Sequence, residues 1–135
     1  MNAIKDDLTK GWLIKAKRDL LSARQLAQGP APLLDTAAYH CQQAGEKAIK
    51  GFLVFHDIRF EKTHDLDVLI SQAAEIETGF LACRQAGRIL TPLAVAFRYP
   101  GDYIEPELEE YQEAFSAAQE IYDFVTDLLP ERLNA

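Results

Sequence analysis

Thr36-Ala37-Ala38-Tyr39-His40-Cys41-Gln42-Gln43-Ala44-Gly45-Glu46-Lys47-Ala48-Ile49-Lys50-Gly51-Phe52-Leu53-Val54-Phe55-His56 is the stretch on which the fold turns. Its positions Ala37, Cys41, Ala44, Ala48 and Phe55 recur at helical spacing, so it reads as one long core helix. Asp35 is the expected N-cap, because a short carboxylate accepts hydrogen bonds from the free amides of a first turn. The seam is small in its first half and aromatic or branched in its second. Gly45 sits mid-helix at a cost of about 1 kcal/mol relative to alanine, and that cost predicts a neighbouring helix in close approach.

Working outward, the same periodicity predicts a helix before this one and three after it. The first spans about Leu8 to Gln28, with Trp12, Ala16, Leu20, Ala23 and Ala27 in one stripe. Gly29-Pro30-Ala31-Pro32 stops it. After the core helix, a loop from Asp57 to Lys62 leads to Thr63, the expected cap of a third helix over Asp65 to about Ile76. A fourth is expected over Phe80 to Phe97, kinked or split by Pro92. Arg98 to Tyr103 reads as an ordered turn. The fifth, about Glu107 to Leu129, puts Leu108, Tyr111, Phe115, Ala118, Tyr122, Val125 and Leu129 on one stripe and its acids on the other side. No segment alternates as a strand does. The expected class is all-α, an up-and-down antiparallel bundle of about five helices, forming one domain over residues 1–135 with its core at about 8–129.

Composition narrows the function classes. The 135 residues are 48% hydrophobic and 26% charged, which suits a globular domain and not a disordered or disulfide-stapled chain. A net charge of −7 argues against whole-surface attraction to nucleic acid or anionic lipid. The charge is uneven, however: bases outnumber acids from Met1 to Lys62, whereas from Asp102 onward the only base is Arg132. Cys41 and Cys83 lack CxxC spacing and lie in apolar patterns, so both read as buried thiols of a reducing, cytoplasmic protein. No apolar run approaches the ~20 residues of a membrane span, and no signal-peptide pattern opens the chain. Glycine-rich phosphate loops, HExxH and clustered cysteine-histidine sets are absent, so neither a metal nor a cofactor is expected.

Three pieces of sequence carry a resemblance. They are Trp12, Ala16, Asp19-Leu20 and Ala23; the string Ala38 to Lys50 followed by Phe52-Leu53; and Lys62-Thr63-His64-Asp65-Leu66. With Arg98-Tyr99-Pro100, the chain resembles a HEPN domain over about Leu8 to Leu129. The resemblance implies a helical bundle that usually dimerises. It also implies one of several functions: a metal-independent ribonuclease, a toxin of a toxin-antitoxin pair held by a separately encoded nucleotidyltransferase partner, or a non-catalytic module binding nucleotide or RNA. Family ribonucleases carry an Arg, then four to six positions, then a His. The His moves protons at a ribose 2′-hydroxyl, the Arg holds phosphate, and two such sets face one cleft across a dimer.

Arg59-Phe60-Glu61-Lys62-Thr63-His64 meets that spacing, but Phe follows the Arg and the motif precedes the third helix. After Arg98 no histidine occurs. Arg59 and His64 are therefore the alternative catalytic pair, and the leading expectation is a non-catalytic binding homodimer. Candidate phosphate ligands are His40, Gln43, Lys47, Lys50, Lys62, His64 and Arg98. His40, Gln43, Lys47 and Lys50 follow at steps of three, four and three, forming a polar stripe beside the apolar seam. That stripe reads either as a solvated face, with Gln43 touching Lys47 and Glu46 pairing with Lys50, or as a basic groove for phosphate. His64 reads as a first-turn polar residue or, with Lys62 and the helix dipole, as a phosphate ligand. Arg98 reads as the partner of an acid or as a phosphate ligand.

Overall fold

A computed structural model describes residues 2–96 and 105–134. Helix α1 (Ala3–Leu26) is followed by α2 (Leu34–Phe55), α3 (Leu66–Ala74), α4 (Arg84–Leu90) and α5 (Leu108–Leu128). Short 3-10 turns over Thr78–Cys83 and Thr91–Ala94 flank α4, and another covers Glu131–Leu133. No strand occurs among the described residues. Arg98 and the expected turn around it lie outside the described residues.

The helix starts differ from the expected ones for local reasons. Helix α1 begins at Ala3, ahead of Leu8, because the Asn2 side chain accepts from the Lys5 amide at 3.0 Å. Helix α2 starts at Leu34, so Asp35 lies inside the first turn, where its carboxylate accepts from the Thr36 amide at 2.8 Å. There its charge still favours the positive end of the helix dipole. At α3 the cap is Asp65, which accepts from the Asp67 amide, while Thr63 accepts from Asp65 itself. The expected fourth helix is divided. Pro92 lacks an N–H and lies in the opening of a 3-10 turn that starts at Thr91, and Glu77 accepts from the Gly79 amide to start the turn ahead of α4. Helix α5 opens with a capping box between Glu107 and Glu110.

Helix α2 is the centre of the bundle. It runs antiparallel to α1 and also packs against α5 and α3. The aromatic chain Phe52, Phe80 and Phe124 ties α2 to the 78–83 turn and to α5, with centroids 4.7 and 4.8 Å apart. Close approach at Gly45 is present: a Cβ there would fall 2.8 Å from Leu90 Cδ1 and 3.1 Å from Leu66 Cδ2. Gly45→Ala gains about 1 kcal/mol of helix propensity but overpacks at a cost of about 1 to 3 kcal/mol. The expected net is a loss of about 1 kcal/mol in urea unfolding. An increase in stability would show that the leucine methyls yield freely.

Candidate functional site

The polar face of α2 meets α1 through a buried acid. Asp19 follows buried Ala16 by three positions and precedes buried Ala23 by four, so it shares their inward face. Its carboxylate takes one partner on each oxygen: His40 Nδ1 lies 2.8 Å from Oδ1, and Lys47 Nζ donates to Oδ2 at 2.7 Å. Burial, with the Asp19 charge behind it, pushes the neighbouring Cys41 thiol up to about 12.

One turn further along α2, Glu46 is the hub of a second network and is only 3% exposed. Lys50 Nζ donates to its Oε2 at 2.8 Å. Gln42 Nε2 donates to Oε1 at 2.9 Å, and His64 Nδ1 lies 2.8 Å from the same oxygen. Gln43 Nε2 in turn donates to Gln42 Oε1 at 2.7 Å. Above the pair, the Lys50 ammonium faces the rings of Trp12 and Phe60, which meet edge to face. Burial pushes the Glu46 carboxyl up, but hydrogen bonds from Lys50, Gln42 and His64, with the Lys50 charge, outweigh it and hold the group below its ordinary value.

The stripe His40, Gln43, Lys47, Lys50 is thus brought together as a half-buried face. It is not a solvated face, and its two lysines are already matched by Asp19 and Glu46. Gln43 reaches Gln42 and not Lys47, while the Glu46–Lys50 pair is present as expected. Sequence reasoning missed Asp19 and Gln42 as members. The signal for Asp19 was its place on the apolar stripe of α1; the signal for Gln42 was its i,i+4 relation to Glu46.

The loop after α2 holds the remaining candidates. Asp57 adopts φ 58°, the left-handed conformation in which an aspartate turns a chain out of a helix. The Gln72 side chain of α3 then staples the loop, donating to the Arg59 carbonyl at 3.3 Å and accepting from the Glu61 amide at 3.1 Å. Val54, Ile58, Arg59, Phe60, Glu61 and Lys62 line an open cleft of about 720 Å³. Arg59 and Lys62 are exposed there. His64 is turned to Glu46, with 66% of its side chain exposed. Among the described residues no hydrogen bond joins it to Arg59, and no group of three or more His, Cys, Asp or Glu could hold a metal ion.

The HEPN domain family profile matches residues 9–128. The chain belongs to the HEPN domain family. The crystal structure of an archaeal HEPN homologue is similar to it, with a TM-score of 0.69 and 26% identity, covering 88% of this chain and 95% of that one. A search of curated proteins finds no match. No helix among the described residues of this HEPN domain is long and apolar enough to cross a membrane.

The strings that carried the resemblance fall on structural joints of this HEPN domain. Asp19 and the Ala38–Lys50 string form the two carboxylate networks, and Lys62 to Leu66 leads from the cleft to the start of α3. What the arrangement offers chemically is two exposed cations on a stapled loop, an apolar floor from Val54, Ile58 and Phe60, and beyond them a histidine ring held at one nitrogen.

Proposed function

We propose that this HEPN domain is a non-catalytic module that binds a phosphate-bearing ligand, RNA or nucleotide, in the cleft between the end of α2 and the Arg59–Lys62 loop. The observation that carries this reading is the loop's construction. Gln72 fixes its backbone, so Arg59 and Lys62 are presented without an acid partner of their own among the described residues, beside an apolar floor on which a base can rest. A net charge of −7 makes such attraction local. Lys47 and Lys50 serve the fold by neutralising Asp19 and Glu46, which leaves the phosphate to the loop.

The test is fluorescence anisotropy with a mixed-sequence RNA and with a labelled mononucleotide, without added metal. Arg59→Ala combined with Lys62→Ala is expected to weaken binding at least about tenfold and to lower the salt slope by about two. No affinity in the unmodified protein, or equal affinity in the double variant, overturns the reading. A second reading has its own observation. Contact with Glu46 through Nδ1 orients the His64 ring, whose side chain stays 66% exposed, as a proton-transferring histidine requires. RNA cleavage that disappears in His64→Ala with the fold retained would put this ribonuclease reading first.

A further inference from the structure

A second pocket lies towards the opposite end of α2 from the loop cleft. His40 lines it with Leu21, Ser22, Gln25 and Leu26 of α1, and its volume is about 380 Å³. On α1 those four residues form two rows, Leu21 with Gln25 and Ser22 with Leu26, each pair spaced i,i+4. Ser22 also follows buried Asp19 by three positions, on the same side of the helix as the carboxylate that holds His40. The end of the pocket is set where the chain leaves α1, because the Leu33 amide donates back to the Leu26 carbonyl at 2.8 Å. His40 precedes Val54 of the loop cleft by fourteen residues, about 21 Å along the helix.

The charges behind the His40 ring can be counted. Asp19 is 7% exposed, and it meets His40 with one oxygen and Lys47 with the other. Lys47 already cancels its charge. A proton added to the imidazole therefore gives the trio one net positive charge, carried by the residue that lines the pocket. Nδ1 is taken by Asp19, so Nε2 is the ring nitrogen left for a ligand, and in the protonated ring it is a donor. Ser22 and Gln25 add a hydroxyl and an amide, both able to donate to an oxyanion. Leu21 and Leu26 add an apolar wall. No lysine or arginine lines the pocket, so it suits a single negative charge better than the two of a phosphate. We propose that this pocket binds a small carboxylate bearing a short apolar chain, with His40 donating to the carboxylate and Asp19 positioning the ring. The site goes beyond the phosphate reading of the loop cleft and does not rest on it.

Titration of the isotope-labelled full chain with butanoate, followed by nitrogen NMR of the histidine rings, tests this. A saturable shift of the His40 Nε2 resonance to the imidazolium range is expected, with a Kd of about 1 mM for a ligand of six non-hydrogen atoms. His40→Gln should weaken binding at least about tenfold, because the charged donor is lost. Gln25→Glu, at an exposed position where the fold is not at stake, should do the same by setting a like charge against the ligand. Asp19→Asn keeps an acceptor for Nδ1 but removes the charge behind it. That variant should bind butanoate more weakly and leave Nε2 in the neutral range at concentrations that protonate the ring in the parent. A peptide chain end offers the same group, so a tripeptide ending in leucine is titrated in parallel, and the tighter of the two names the source. Inorganic phosphate is expected to leave the His40 resonance in place. No saturation by either carboxylate, saturation by phosphate as strong as by butanoate, or binding indifferent to both His40→Gln and Gln25→Glu overturns the proposal.

Discussion

Lys50→Met is expected to lower the unfolding free energy by about 3 kcal/mol, since breaking a buried ion pair from one side strands the other charge. Methionine keeps the apolar stem but leaves Glu46 Oε2 without its donor in a site 3% exposed, and it removes the ammonium from the Trp12 and Phe60 rings. Adding Glu46→Gln removes the stranded charge and should recover much of the loss. The pH dependence follows from the sign of the shift. Glu46 lies below its ordinary value of 4.5 in the folded protein. Its stabilisation is therefore complete above the unfolded-state value and disappears as pH falls through the folded one. Without Lys50, burial loses its main opponent and the carboxyl moves up. Urea unfolding should show the widest gap between the unmodified protein and Lys50→Met at about pH 7 and a narrower one at about pH 4. A gap independent of pH would mean that Glu46 is not the group left stranded.

Phe80→Ala is expected to cost about 4 kcal/mol, the middle of the range for truncating a core phenylalanine. Phe80 is fully buried, and its ring is held edge-on by Phe52 on one side and Phe124 on the other. Removal opens a cavity where α2, α5 and the 78–83 turn converge, beside a backbone that Gly79 already brings close to Phe124. Domains of this size are stable by only about 5 to 15 kcal/mol, so the variant should unfold well below the urea midpoint of the parent. A loss under about 1 kcal/mol would show that the 78–83 turn moves in to close the gap.

Helix existence was legible because apolar spacing reports the face turned inward, and α2 and α5 occupy nearly the residues that their stripes predict. Helix starts were less legible, since capping depends on which of several adjacent polar groups reaches the amides. At α3 both Thr63 and Asp65 were able to act, and each bonds, one behind the other. The carboxylate networks were the least legible. An i,i+4 rule finds Glu46 with Lys50 but cannot find Asp19 with Lys47, which meet only because two helices pack antiparallel. For the same reason Lys47 read as available to phosphate, whereas Asp19, distant in sequence, is its partner. Arg59 and His64 satisfy a spacing in one dimension that the folded loop does not turn into a contact.

Burial of the two thiols supplies the molecule with its own clock. Cys41 is buried on α2 beside Asp19 with its thiol raised to about 12, and Cys83 is buried near Glu120 of α5 with its thiol raised to about 11. Near neutral pH neither presents a useful fraction of thiolate, and neither is reached from solvent, so an alkylating reagent reacts only with molecules that have opened. The labelling rate of the unmodified chain therefore counts openings. Because the two thiols sit on different elements, Cys41 in α2 and Cys83 at the end of the 78–83 turn, equal rates would mean that the bundle comes apart as a whole, and unequal rates would name the element that parts first.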